Sequence, residues 1–343
     1  MVEIKSIEVT DEEGQFGWGG STLEGHTEAV EGTLNTLCER FEGYEADNIE
    51  HIWQISGRLA FYRGGPVFMS AISGIGIDIA PWDLKGNRIG VPIHQLLGGK
   101  SPIKPRVIRS RNSNATEDIS WLDSPRLLES SIEHLKAVKA LGMDAALDFH
   151  GRLHKPMVKQ LAKAFEHISL SSWGSPFCLS TPRPLGCGAL PGRYHWCVDV
   201  LRPDISHCGG ISELRRIASM AETYDVAIAP HCPLGPIALA ACLRVDRATP
   251  NFVIQDMNIG IHYSTDAGES DFASYVKNSK AFDVEDGVLD ALNTPGLGIE
   301  VDEEAVRRVA QLLSPGNPRT SLDPMALLGV VKVRNIVLCW DCT

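Results

Sequence analysis

The chain has 343 residues, a formal net charge of -11, 43% hydrophobic residues and 22% charged residues, the proportions of an ordinary globular protein. The acidic balance argues against a general nucleic-acid binder. No apolar run approaches the ~20 residues that cross a bilayer, and the acidic start MVEIKSIEVTDEEG lacks a secretory core. Nine cysteines at irregular spacing make no disulfide framework, so reduced thiols in the cytoplasm are expected.

In the first hundred or so residues, Gly14 to Gly20 (GQFGWGG) reads as a strand end and turn. Thr27 to Phe41 is a predicted helix, with Ala29, Val30, Leu34, Leu37 and Phe41 spaced for one face. A second helix spans Ile52 to Tyr62, Arg63-Gly64-Gly65-Pro66 breaks it, and Met69 to Lys85 resumes as helix. Pro81 falls inside that last run, where an interior proline kinks a helix or costs roughly 3 kcal/mol. The section reads as a helical α+β cap.

A strand-helix rhythm follows. Asp123-Ser124-Pro125 is a helix start signal for a helix to about Leu141, and Ala145 to Phe149 reads as a strand. Helix is predicted over Met157 to Glu166, strand over Val198 to Leu201, loop over Pro203 to Gly210 and helix over Ile211 to Tyr224. Val226 to Ala229 (VAIA) is a β-branched run suited to a buried parallel strand. Pro230, Pro233, Gly235 and Pro236 break it, a helix follows from about Ile237, and a further strand opens at Asn251 and closes on Asp256. Alternation of this kind is the pattern of an α/β barrel, whose chemistry sits at the C-terminal ends of its strands.

Two stretches fall outside the rhythm. From residue 167 to residue 198 there is no Asp or Glu, and Ser169 to Cys197 is rich in Ser, Pro, Gly and Cys without helical or strand period. The tail after Leu313 is Pro- and Ser-rich, then apolar (VVKVRNIVLCWDCT). Cys178, Cys187, Cys197, Cys339 and Cys342 lie in these two stretches.

Four polar clusters fall at predicted strand ends: Asp148 with His150, Asp204 with His207, His231, and Asp256. Four in register point to catalysis or ligand binding, although Asp204 has a bland alternative as a cap for the helix near Ile211. Gly209-Gly210 at that helix start could hold an anionic substrate group. His207-Cys208 and His231-Cys232 lack zinc-finger spacing, and Cys339-Trp340-Asp341-Cys342 lacks the βαβ context of a redox motif.

DFHGR (Asp148 to Arg152), RPDISHCGGISE (Arg202 to Glu213), APHCPLGPIALAAC (Ala229 to Cys242) and IGIHY (Ile259 to Tyr263) closely resemble the galactonate dehydratases, of the mandelate-racemase-like branch of the enolase superfamily. GWG at Trp18, FYRGGP, WDLKG and TPGLG (Thr294 to Gly298) extend the resemblance along most of the chain. It implies an α/β fold: an enolase-type α+β capping domain, residues 1–103 completed by about 285–343, on a modified TIM barrel, residues 104–284. The missing pieces noted below leave that barrel incomplete. It further implies a cytoplasmic lyase, homo-oligomeric, that uses Mg2+ to remove water from a small sugar acid and gives a 2-keto-3-deoxy acid.

Such a reaction removes a weakly acidic proton next to a carboxylate, so the enediolate needs a divalent ion beside a Lys or His base. By resemblance Asp148 is a metal ligand, His150 the acid that protonates the departing hydroxyl, and His231 the base. Asp204 pairs with His231, Asp256 stands where the family carries a Glu that hydrogen-bonds the enediolate, and Arg152 and His262 contact substrate.

The sequence also departs from that pattern. The family's second and third metal carboxylates lie in Glu-Glu-Pro and Gly-Glu-Arg motifs, and the acid-free stretch replaces both. Arg109 to Asn114 is too short for a strand and crossover helix, which need about ten residues or more, and the N-terminal strand before Thr10 is shortened. A coding sequence with missed exon boundaries or a slipped frame would explain these losses together. Divergence into a non-catalytic relative is the rival.

Overall fold

A computed structural model describes residues 5–10, 14–23, 26–59, 65–74, 77–102, 105, 107–109, parts of 132–141, 200–257, 272–289, 292–312, 330–334 and 337–339. The expected strand Ala145–Phe149, the helix Met157–Glu166 and the acid-free stretch lie outside these residues. Of the helix expected from Asp123 to Leu141, residues 132–133, 136–137 and 140 are described, and they are helical.

The N-terminal section begins with strands β1 (Lys5–Thr10) and β2 (Phe16–Ser21), paired antiparallel with Glu8 opposite Trp18. Four helices follow: α1 (Thr27–Phe41), α2 (Ile49–Leu59), α3 (Gly65–Gly74) and α4 (Ile79–Ile89), with a short fifth, α5 (Ile93–Leu96). Val30, Leu34, Leu37 and Phe41 are buried as their spacing predicts, against Ile52, Phe68, Met69 and Ile72, while Ala29 is exposed at the edge of that stripe.

Two expectations change here. The GWGG segment is a strand, not a strand end and turn. Its Gly17 lies so close to α4 that a Cβ there would sit 2.2 Å from the Ala80 carbonyl oxygen and 2.4 Å from the Leu84 nitrogen. Glycine in this strand serves close approach of backbones. The run Met69 to Lys85 is two helices broken after Gly74, so Pro81 falls in the first turn of α4. A first-turn residue needs no intrahelical N–H partner, and the proline costs little there.

The second section brings parallel strands together. β3 (Val107–Arg109) pairs with β6 (Gln255–Met257), β4 (Val200–Leu201) pairs with β5 (Ala227–Ile228), and Ile228 bridges to Phe252. The spatial order is therefore β4, β5, the Phe252 segment with β6, then β3. The last strand pairing with the first is the seam by which a parallel sheet closes into a barrel.

Between these strands run α6 (Ile205–Cys208), α7 (Gly210–Glu222) and α8 (Pro236–Ala248). Helix α8 is buried from Pro236 to Asp246 without an outer polar face, as a helix covered on all sides must be. Two 3-10 turns (Phe272–Tyr275, Ser279–Phe282), a hairpin β7 (Val284–Glu285) and β8 (Val288–Leu289), and α9 (Glu303–Leu312) follow. The apolar tail forms β9 (Val330–Arg334), parallel to β1, and β10 (Val337–Cys339), so one sheet runs β10-β9-β1-β2. No helix among the described residues is long and apolar enough to cross a membrane.

The two sections are locked at two places. At the first, Asp83 accepts the Trp18 N–H at 2.8 Å and the Leu297 N–H at 2.6 Å. Buried Arg244 of α8 donates to the carbonyls of Leu292, Leu297 (3.1 Å) and Thr294 (2.7 Å). These two side chains hold the TPGLG loop, whose glycines are sterically required. Gly296 has φ +58, and a Cβ there would meet Asp83 Oδ1 at 2.2 Å.

At the second, the start of α7 is clasped. Ser73 accepts the Gly209 N–H at 2.8 Å, Trp53 donates to the Gly209 carbonyl at 2.8 Å, and Trp82 donates to Ser212 Oγ at 3.0 Å. Asp78 accepts the Ser212 N–H at 3.1 Å. The anion site expected at Gly209-Gly210 is thus filled by the protein's own carboxylate. Gly210, at φ +81, could not carry a Cβ, which would sit 2.3 Å from Asp78 Oδ2.

Gly17→Ala should destabilise the chain by about 3 kcal/mol, since the obstruction is backbone. Gly57→Ala, in a helix with open space at its Cβ, should instead stabilise by about 0.5 kcal/mol. Urea unfolding measures both.

Burial pushes the Asp78 carboxyl up to about 7, with hydrogen bonds from Ser212 and Ile211 and the charge of Arg216 opposing it. A carboxyl raised in the folded state gives stability that is full below its unfolded value of 3.8 and lost as pH rises through about 7. Wild type should therefore lose about 2 kcal/mol relative to Asp78→Asn between about pH 5 and about pH 8, read from unfolding curves across that range.

Candidate active site

Parallel pairing sets the register of the site. Asp204 bridges to His231 across neighbouring strand ends, and the His231 N–H donates to the Pro203 carbonyl at 3.0 Å. The Asp256 N–H donates to the Pro230 carbonyl at 3.1 Å, one strand further round. Backbone hydrogen bonds alone bring Asp204, His231 and Asp256 to the same level. Asp256 lies within β6, opposite Ile108, rather than at the strand's end where the sequence placed it.

The side chains complete the cluster. His231 Nδ1 lies 2.8 Å from Asp204 Oδ2, and His231 Nε2 lies 3.7 Å from Asp256 Oδ2. Arg202 Nη2 lies 2.5 Å from the same Asp256 oxygen. A carboxylate only accepts, so Nδ1 of His231 carries the proton toward Asp204 and Nε2 is the basic nitrogen. Asp204 and Asp256 are buried, while His231 and Arg202 keep some solvent access. An imidazole with one nitrogen fixed by a buried carboxylate and the other, Nε2, on a side chain that keeps some solvent access can take a proton from a bound molecule.

Asp204 does two jobs. Its Oδ1 accepts the Ser206 N–H at 2.8 Å and caps α6, not the later helix near Ile211. Its Oδ2 faces both His231 and, at 3.5 Å, His207 Nδ1. Burial works against ionisation of Asp204, yet His207 first and His231 second override it and hold the carboxyl below the usual range. The segment Pro203 to Gly210 is accordingly not all loop: α6 forms because Asp204 caps it and Gly209, at φ 117, ends it.

Of the residues named from sequence, Asp204, His231 and Asp256 are brought together. Asp148, His150, Arg152 and His262 lie outside the described residues. Sequence reading passed over Arg202, although Arg202 and Asp204 are two apart at a strand end and so share a face.

The expected Mg2+ needs a set of oxygen donors in octahedral geometry. Residues 167–198, where two of three carboxylates would fall, contain no Asp or Glu. Among the described residues no group of three or more His, Cys, Asp or Glu could hold a metal ion. The donor set among the described residues does not fit a three-carboxylate cation site.

Known proteins of similar sequence and fold match most of the chain. A family model for the mandelate racemase / muconate lactonizing enzyme N-terminal domain matches residues 3–98, and one for the enolase C-terminal domain-like fold matches residues 195–305. The D-galactonate dehydratase of Variovorax paradoxus is 38% identical, over 88% of this chain and 89% of its own. That of Xanthomonas axonopodis pv. citri is 37% identical, over 88% and 90%. Among solved structures, an enolase-superfamily member from Salmonella Typhimurium gives a TM-score of 0.65 at 22% identity, covering 90% of this chain and 98% of that one. A mandelate racemase/muconate lactonizing enzyme-like protein from Rubrobacter xylanophilus gives 0.63 at 22%, covering 89% and 95%. At those identities the structures show the fold.

Proposed function

The chain belongs to the galactonate dehydratase family of hydro-lyases, in the enolase superfamily, and on that premise we propose a sugar-acid dehydratase of galactonate type with His231 as its base. The observation that carries this reading is the Asp204–His231 pair at 2.8 Å, with Nε2 turned toward Asp256. In the proposed reaction, Nε2 of His231 takes the proton next to the substrate carboxylate, and ionised Asp204 stabilises the imidazolium that forms. Asp256, beside Arg202, would donate a hydrogen bond to the enediolate oxygen from its protonated carboxyl. His150 would return a proton to the departing hydroxyl, and the enol product relaxes to a 2-keto-3-deoxy acid. Arg152 and His262 would contact the sugar chain. In the superfamily Mg2+ supplies the charge that stabilises the enediolate; Asp148 is the ligand this chain retains for it.

The domain assignment follows the same reading: residues 1–103 with about 285–343 as cap, 104–284 as barrel. The extents of the two family matches and the pairing of β9 with β1 support it. The chain is proposed to act in the cytoplasm, as a homo-oligomer, on a free small-molecule sugar acid.

One observation favours a second reading. Without the Glu-Glu-Pro and Gly-Glu-Arg carboxylates, an enediolate formed here lacks its main stabiliser, a contribution of several kcal/mol. The polypeptide as written is then a catalytically silent form of a dehydratase, whether by divergence or by an altered coding sequence.

With D-galactonate and Mg2+, 2-keto acid formation should be at least about a thousandfold below the roughly 10 per second typical of enzymes. Turnover at an ordinary rate, lost in His231→Asn, would overturn the silent reading and leave the dehydratase reading standing. Ordinary turnover that survives His231→Asn would remove His231 as the base.

A further inference from the structure

We propose that His207 is a positioning residue for His231, sharing one carboxylate oxygen of Asp204 with it and so setting how strongly His231 holds a proton. The proposal rests on the dehydratase reading only in calling His231 a base. Three observations carry it. Both imidazoles present Nδ1 to the same atom, Asp204 Oδ2, at 2.8 Å for His231 and 3.5 Å for His207. Asp204 cannot turn away from either, because Oδ1 is engaged by the Ser206 N–H. His207 in turn is fixed on α6, a single helical turn whose C-terminal Gly209 is gripped by Ser73 and Trp53. Asp204 being held below the usual carboxylate range agrees, since burial opposes its charge and His207 leads the influences that favour it.

The sign of the effect does not depend on the state of His207. As a neutral ring donating Nδ1–H, it draws on charge that Asp204 would otherwise direct at His231. As a cation, it also repels a second cation across the same oxygen. Either way it lowers the proton affinity of His231. Among the described residues, the other charged or titratable groups around the trio can be named: on α7, packed against α6, Glu213 and Arg216 pair with each other at 2.7 Å. Asp256 and Arg202 stand on the far side of His231, Cys232 is its neighbour in sequence, and Cys242 and Asp246 lie on α8. Helix α3, packed against α6, contributes no titratable side chain along GPVFMSAISG. None of these competes for Asp204 Oδ2 as His207 does. The arrangement also has a functional sense: a lone buried carboxylate could hold His231 protonated, and a protonated ring cannot act as a base.

The test is nitrogen NMR of the labelled histidine rings in the full chain across pH, comparing wild type, His207→Phe and His207→Asn. Removing the ring nitrogen while keeping its bulk, His207→Phe should raise the His231 midpoint by about one pH unit. His207→Asn keeps a donor near the Nδ1 position and should fall between His207→Phe and wild type. In wild type itself the two rings should titrate as a coupled pair, each sensing the other's proton. Independent single-proton curves in wild type overturn the proposal even if neither variant folds. A His231 midpoint that stays put in a folded His207→Phe overturns it as well. Turnover does not enter this readout, so ordinary turnover that survives His231→Asn sinks the reading of His231 as the base alone, and a His231 midpoint unmoved in folded His207→Phe sinks this proposal alone.

Discussion

One buried carboxylate, Asp204, is the point from which the site is organised. It faces two imidazoles through one oxygen and ends the free N–H of a short helix through the other. Each engagement fixes the next. The cap on α6 sets where His207 projects, the strand bridge to His231 sets the level of its imidazole, and the next hydrogen bond, from Asp256 to Pro230, sets the group opposite its Nε2. A carboxylate so enclosed stays charged only because cations or donors surround it. Loss of any one of them would therefore be felt at His231.

That constraint reaches into the N-terminal section. Helix α6 is continuous with the Gly209-Gly210 turn, and this turn is clasped by Trp53, Ser73, Asp78 and Trp82. The clasp and the Asp83–Arg244 grip on the TPGLG loop hold the same two sections at different places. Both depend on glycines that let backbone and carboxylate approach more closely than any side chain would allow. The N-terminal section thus helps hold Asp204 and, through it, His207 and His231 in position.

Much of this was legible in the amino-acid sequence because the signals were local. Val30, Leu34, Leu37 and Phe41 announce one helical face, and VAIA followed by PHCPLGP announces a buried strand running into a polar loop. Strand patterns placed Asp204 and His231 each at a strand end, and the resemblance to the galactonate dehydratases implied their pairing. What was not legible depended on distant partners. GWGG resembles a turn until α4 is seen against Gly17, and Pro81 resembles a kink until the break after Gly74 makes it a first-turn residue. Gly209-Gly210 resembles an anion site until Asp78, more than a hundred residues away in sequence, fills it. Arg202 looked like an ordinary strand-end arginine because its partner Asp256 lies two strands along. The tail looked like debris by composition, yet β9 pairs with β1, a contact that no local pattern encodes.

On the proposed reading this polypeptide keeps the proton-transfer half of a dehydratase site without the set of carboxylates that would hold its cation. Calorimetric titration of the full chain with Mg2+, with and without D-galactonate, decides the matter. No saturable binding is expected at millimolar Mg2+, since a single carboxylate ligand leaves the ion mostly to its waters. One-to-one binding at submillimolar Mg2+ would contradict it, and would mean that the chain supplies oxygen ligands its sequence pattern does not reveal.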